Sequence, residues 1–240
     1  MAEEKKVILG VGAHADDMDF MASGTIAKFI EEGYEGYYLV CTDGSRGSAD
    51  PNMTHQKLSS TRKAEQIAAG AVLGLSDVFF LTHTDTQLVA DNILKEEIVR
   101  YIRKLKPSIV ITMDPACLYE AKFALTDTSV VNHTDHRAVG EATMDAVFPL
   151  ARDRLTFPEH REEGFEEHRV SELWFVCFAK KEYIVDISTT LEKKLAAIKC
   201  HVSQVADFEE KKKRVTYTAE TFGREKGFTY GESFVRLIMP

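Results

Sequence analysis

The sequence predicts an α/β fold, a largely parallel sheet flanked by helices on both faces, on three observations. Short apolar runs alternate with stretches of helical period from residue 7 onward. The runs are continuous rather than alternating, as strands buried on both faces are. Each of the first four ends in polar residues, where open α/β sheets gather their ligands. The chain has 240 residues, 44% hydrophobic and 28% charged, which suits a single domain over residues 1–240 with a sizeable core.

Val7–Ala13 reads as the first buried strand, short and β-branched, with glycines near its end. A helix over Thr25–Glu32 follows, stopped by Gly33. Tyr37–Cys41 is the second strand, closed by the polar loop Thr42-Asp43-Gly44-Ser45-Arg46-Gly47. A helix from about Ser59 to Gly74 leads to a third strand, Val78–Leu81. Ile93–Leu105 is a helix with a basic last turn, ended by Pro107, and Ser108–Met113 is the fourth strand. Residues 116–132 show no period and predict a loop bearing substrate or interface contacts, so the chain is compatible with a homo-oligomer. A helix from about Arg137 to Val147, strands at Leu173–Phe178 and Tyr183–Ile187, and a helix over Leu191–Gln204 complete the reading. Beyond Asp207 the tail is charged, and Glu209–Arg214 reads as a solvated helical face.

The net charge of −8 argues against nucleic acid and anionic membrane surfaces as partners. No apolar run reaches the ~20 residues of a membrane span, and the first residues lack the apolar core of a signal peptide, so a cytoplasmic protein is expected. Cys41, Cys117, Cys177 and Cys200 have no CxxC spacing and are expected to be free, mostly buried thiols.

His14, Asp16 and Asp17 follow the first strand, Asp43 the second, His83 and Asp85 the third, and Asp114 the fourth, so all should meet on one rim. Gly10-Val11-Gly12-Ala13-His14-Ala15 matches the loose dinucleotide fingerprint. Asp16 and Asp17, however, would place negative charge where a pyrophosphate must sit. A nicotinamide cofactor is therefore disfavoured.

A metal accounts for the cluster better. His14 and Asp17, spaced H-x-x-D past a strand end, can aim at one point, and His136 can supply a third ligand. Two imidazoles and a carboxylate form a catalytic zinc set with a position open for water. Asp16 lies between ligands and is placed to be the general base. His133 can stabilise an oxyanion and protonate a leaving amine, with Asp135 holding its tautomer and raising its pKa. Each aspartate alone is better explained as a helix cap. Two such clusters together point to a hydrolytic metal site.

Ala13-His14-Ala15-Asp16-Asp17-Met18-Asp19 resembles the A-H-P-D-D-x-E signature of the LmbE-like, or PIG-L, zinc deacetylases, and His133-Thr134-Asp135-His136 resembles their H-x-D-H. Weaker similarities are the Thr42–Gly47 loop, Arg62 with Glu65, Asp85, and His201-Val202-Ser203-Gln204, which matches a late H-x-S-Q. The resemblance spans residues 7 to 204 and implies a Rossmann-like fold, one divalent metal per chain, usually Zn2+, and removal of acetyl from N-acetylglucosamine-type amides. It implies His14, Asp17 and His136 as metal ligands, with Asp16, His133 and Asp135 catalytic. Arg62 and Asp85 become candidates for binding a small-molecule N-acylated sugar or amine. Ala15 stands where the family has proline and Asp19 where it has glutamate, and no glycine follows Asp85. These departures bear on substrate more than on reaction. Two alternatives stay open: an amidase for a thiol-sugar conjugate or other N-acyl amine, and a metal- or sugar-binding homologue without catalysis. His83 and His201 are candidates for the pocket rim, whereas His55, His160 and His168 are expected at the surface.

Overall fold

A computed structural model of the chain describes residues 6–120, 129–176 and 182–240. In chain order its elements are β1 (Val7–Gly12), α1 (Asp17–Met21), α2 (Ser23–Glu31), β2 (Glu35–Thr42), α3 (His55–Leu73), β3 (Asp77–His83), α4 (Asn92–Leu105) and β4 (Ile109–Met113). There follow β5 (Tyr119–Glu120), β6 (Val130–Val131), α5 (Thr134–Asp145), α6 (Glu159–Glu162), β7 (Glu172–Val176), β8 (Tyr183–Asp186), α7 (Leu191–Lys199), α8 (Phe208–Arg224) and β9 (Gly231–Ile238). The main sheet has seven strands in the order β3-β2-β1-β4-β7-β9-β8. The first five of these strands are parallel, and β9 runs antiparallel between β7 and β8.

The helices form two layers. α1, α2, α3 and α7 pack on one another, and α4 packs on α5. Every residue of β1 is buried, and one apolar cluster runs from Ile8 on β1 to Phe234 on β9. No helix among the described residues is long and apolar enough to cross a membrane. The strand order reverses beside β1: β2 and β3 lie to one side and β4 to the other. Ligands of such sheets bind at that crevice, beyond the strand carboxyl ends. Both motif segments are delivered there, His14–Asp17 by the exit from β1 and His133–His136 by the start of α5.

Local chemistry adjusts several predicted boundaries. α3 begins at His55, a turn earlier than its apolar period, because the Thr54 side chain accepts the Lys57 N–H at 3.2 Å and caps it. α7 ends at Lys199, and His201 lies in the turn beyond. The predicted strand end Cys177–Phe178 and residues 121–128 of the predicted loop lie outside the described residues; β5 and β6 pair within the rest of that loop. Cys41 is a buried free thiol and Cys200 a partly buried one; Cys117 is only partly buried, and Cys177 lies outside the described residues. His160, expected at the surface, is fully buried. Its Nε2 lies 2.5 Å from Glu96 Oε1 and its Nδ1 3.4 Å from Arg103 Nη1, so the charges around it pair inward rather than with water. Glu209–Arg214 lies on α8 and is largely exposed, and the tail beyond it adds an interior strand, β9.

Gly140 lets α5 sit close to the end of β4. A Cβ there would clash with the Met113 backbone oxygen and stand 3.0 Å from Pro115 Cδ. The obstacle is backbone, which cannot swing aside. Gly140→Ala should therefore destabilise the protein by about 1–3 kcal/mol, seen as a fall in Tm of about 2–4 °C per kcal/mol. An unchanged Tm in thermal denaturation would show that α5 is not seated this closely.

Candidate active site

The rim beyond β1 is built on two close approaches. Gly12 has no Cβ, and one built there would lie 3.1 Å from Asp17 Cβ, so glycine makes room for α1 rather than for a pyrophosphate. Asp17 Oδ2 then accepts the backbone N–H groups of Ala13 at 2.9 Å and His14 at 2.8 Å, folding the turn back on itself. Asp43 and Asp114 serve local turns: Asp43 Oδ1 accepts the N–H of Ser45 and of Asp85, and Asp114 Oδ1 that of Ala116.

The turn brings the predicted residues together. His14 Nδ1 lies 3.6 Å from Asp17 Oδ2, and His136 Nε2 lies 3.1 Å from Asp17 Oδ1. The rings of His14, His133 and His136 are mutually adjacent, with centroids 4.8–5.3 Å apart. His14, His133 and His136 form one grouping whose donor atoms could hold a metal; His14, Asp85, His133 and Asp135 form another. On its other edge, His14 Nε2 lies 3.2 Å from both Asp85 Oδ1 and Asp135 Oδ2. Burial alone would lower the His14 pKa, but the Asp17 charge and the bonds to Asp135, Asp17 and Asp85 push it up to about 12. Asp17 is likewise raised by burial, yet the charges and bonds of His136 and His14 hold it well below the usual carboxylate range.

Asp135 works differently from the expectation that its carboxylate would hold the His133 ring. That carboxylate accepts the N–H of Thr86 at 2.7 Å and of Leu88 at 3.2 Å and faces His14; His133 Nδ1 is 4.0 Å away. The backbone N–H of Asp135 makes the contact instead, donating to His133 Nδ1 at 3.2 Å as the cap of α5. This favours the tautomer with the proton on Nε2. The His133 pKa is lowered rather than raised, by burial first and then by the His14 charge, against the Asp135 charge.

Arg62 and Asp85, expected to face substrate hydroxyls, are both buried, and apart from Arg62 Nε, which has no hydrogen-bond partner among the described residues, their polar atoms are engaged by the protein. Arg62 Nη2 donates to the Ala15 carbonyl at 2.8 Å and to Asp16 Oδ1 at 3.4 Å, while Nη1 reaches the carbonyls of Gly44 and Arg46. Asp85 Oδ2 accepts the Arg46 N–H at 3.0 Å. Together they strap the first three strand-end loops to one another. His83 Nε2 is 2.5 Å from Glu97 Oε2 on α4.

Asp16 sits at a φ of 102°, a left-handed conformation that few non-glycine residues adopt. A buried relay holds it there. Gln66 Oε1 accepts the Asp16 N–H at 2.9 Å, Gln66 Nε2 donates to Asp19 Oδ2 at 2.7 Å, and His201 Nε2 approaches the same oxygen at 2.7 Å. Asp19 thus braces the Asp16 turn from beneath, and His201, a candidate for the rim, is fully buried. Glu65 accepts from the Ser203 N–H and hydroxyl, both at 2.7 Å, and so fixes the turn that carries His201. No motif in the sequence marks Gln66; its place one residue after Glu65, on the helix face toward the β1 exit, is the available signal. The Asp16 carboxyl is pushed up to about 6, by burial first and then by the Asp17 charge, against the pull of Arg62, His201 and His14.

A family model described as PIG-L, GlcNAc-PI de-N-acetylase, matches residues 9–147. The chain is 30% identical over 229 residues to a diacetylchitobiose deacetylase of Thermococcus kodakarensis, covering 95% of this chain and 81% of that one. It is 26% identical over 209 residues to a 4-oxalmesaconate hydratase of Pseudomonas putida, covering 85% and 76%. Among solved structures, an N,N'-diacetylchitobiose deacetylase from Pyrococcus horikoshii bound to an inhibitor superposes with a TM-score of 0.86 at 26% identity, covering 98% of this chain and 85% of that one.

Proposed function

Since the chain belongs to the PIG-L family, we propose that it is a metal-dependent hydrolase that removes acetyl from an N-acetylglucosamine-type amide. The observation that carries this is the meeting of His14, Asp17 and His136 beside Asp16 at the β1 switch point.

The donor set fits a divalent cation. Asp17, Asp85 and Asp135 are buried around one imidazole, and their field is strong enough to keep His14 protonated to about 12. The same field favours a dication once that proton leaves. We assign His14, Asp17 and His136 to hold it, with Asp85 and Asp135 accepting from the far edge of His14, the support that orients a ligating histidine. When bound, zinc would lower the pKa of a water toward ~7 and polarise the substrate carbonyl.

The protein's own groups then divide the proton work. Asp16, with a pKa of about 6, is ionised at neutral pH and can take a proton from the attacking water. It binds that proton loosely enough to pass it to the departing amine. His133, kept neutral by its lowered pKa, directs its Nε2–H outward as a donor to the developing oxyanion. Protonated Asp16 is therefore the better acid of the two. Arg62, committed to the Ala15 carbonyl and to Asp16, keeps the base in place.

Hydrolysis of a panel of N-acyl sugars and amines, with chelator and with added zinc, tests the reading. N-acetylglucosamine-type amides should be cleaved, the activity should vanish with chelator, and zinc should restore it. A zinc-loaded protein that cleaves no amide on the panel would overturn the assignment.

A further inference from the structure

The cavity beside the metal-ligand cluster is too large and too apolar to be explained by an acetyl group alone. Its volume is about 360 Å³, and Asp17 and His136 lie in its wall. Ligand pockets start at about 300 Å³. From there it runs between α1 and α8, walled by Phe20 and Met21 on one side and by Val215, Ala219 and Phe222 on the other. The polar groups it meets are already engaged. Thr218 donates its hydroxyl to the Arg214 carbonyl at 2.9 Å, and Glu232 is taken by Lys194 and by the N–H groups of Gly24 and Thr25. Along the α1 and α8 walls a sugar ring would find few free partners for its hydroxyls, and each one buried unpaired costs about 1–3 kcal/mol. Two cations line the same cavity. Lys211 lies over the Phe20 ring with Nζ 5.2 Å from its centroid, and Arg214 is exposed on the same helix face. On a chain of net charge −8, a pair of cations one helical turn apart beside an active site is an address for an anion.

We infer that the substrate of this chain carries, next to the amide, an aliphatic or aryl group that fills this cavity and bears an anionic group read by Lys211 and Arg214. The inference rests on the hydrolase reading given above. The apolar group can belong to the acyl side or to the amine side; the chemistry of recognition is the same. Either way, unadorned N-acetylglucosamine is a truncated substrate.

The experiment compares kcat/KM for the methyl, hexyl and 5-carboxypentyl β-glycosides of N-acetylglucosamine, and for N-acetyl, N-hexanoyl and N-(5-carboxypentanoyl) glucosamine. One of the two series should gain about fourfold per buried methylene, the equivalent of about 0.8 kcal/mol. If it is the glycosides, the group lies on the amine side; if the N-acyl compounds, on the acyl side. In either series the terminal carboxylate should add about two- to fivefold, the range of an exposed ion pair, and Arg214→Glu should abolish that increment; no gain from the carboxylate in the series that gains from length overturns the anion reading. Val215→Trp should bring the ratio of long to short substrate toward one. Calorimetric binding of hexyl and methyl β-glucosaminides to the zinc-loaded protein supplies a readout without turnover. If all substrates are cleaved with no gain from the longer groups, the inference is overturned and the hydrolase reading stands. If none is cleaved but the hexyl glucosaminide binds markedly tighter than the methyl, the cavity assignment stands and the hydrolase reading falls. Neither cleavage nor tighter binding overturns both.

Discussion

Asp16→Asn should lower kcat/KM for amide hydrolysis by about 10²–10⁴, the range attributed to a positioned general acid–base, while leaving the fold and the metal in place. The substitution is close to isosteric, and asparagine tolerates the left-handed backbone well. The Asp16 N–H still reaches Gln66, and Asp17 keeps both backbone donors. What goes is a carboxylate able to accept a proton from water. The wild-type pH profile should carry the same signature. Because the Asp16 pKa is raised to about 6, the base is ionised above that pH and becomes protonated below it. Activity should therefore fall as pH drops through about 6, and the residual activity of Asp16→Asn should lack that limb. A variant that hydrolyses the amide at the wild-type rate, with metal content unchanged, would remove Asp16 from the mechanism.

Lys194→Met should cost about 3–5 kcal/mol of stability, the loss that follows removal of one partner from a buried ion pair. Lys194 Nζ lies 2.5 Å from Glu232 Oε1 and donates to the Phe20 carbonyl at 2.7 Å, and both side chains of the pair are about 95% buried. Glu232 also accepts the N–H of Gly24 at 3.0 Å and of Thr25 at 2.7 Å, so it serves as the anion at the start of α2. The double variant Lys194→Met/Glu232→Leu separates these roles. An isolated ion pair replaced by apolar residues is often neutral or better. Here the double variant should remain destabilised, because two backbone donors of α2 lose their acceptor. Urea denaturation of the three variants decides it: a double variant as stable as the wild type would mean that Glu232 does nothing for α2.

That ion pair also explains where sequence reasoning stopped. β1 to β4 were legible because strands buried on both faces are written in Val, Ile and Leu, and their ends were legible as polar residues. β9 was not, because Glu232 and Ser233 occupy two of its buried positions. A charged residue at a core position reads as loop until its partner is known, and Lys194 lies 38 residues away. α8 read as solvated from Glu209–Arg214, yet Val215, Ala219 and Phe222 turn its other face to the cavity. The same blindness applied to His160, which sits among charges in the sequence and among its partners in the fold. In the candidate site, the approach of His14, Asp17 and His136 was readable from spacing, since a strand end and a helix start each fix a direction. What Asp135 and Arg62 touch was not, because their partners are backbone groups of other loops.

The left-handed backbone at Asp16 sets folding and chemistry against each other at one position. For the main chain alone, glycine is the better residue at a φ of 102°. Aspartate is held there because Gln66 accepts its N–H, and Asp19, met in turn by His201, fixes Gln66. Selection for heat resistance alone would push position 16 toward glycine, and the sturdier protein would lose the carboxylate proposed as its base. Hardening this enzyme for use should therefore leave residue 16 and its three supports untouched and look for gains elsewhere in the molecule.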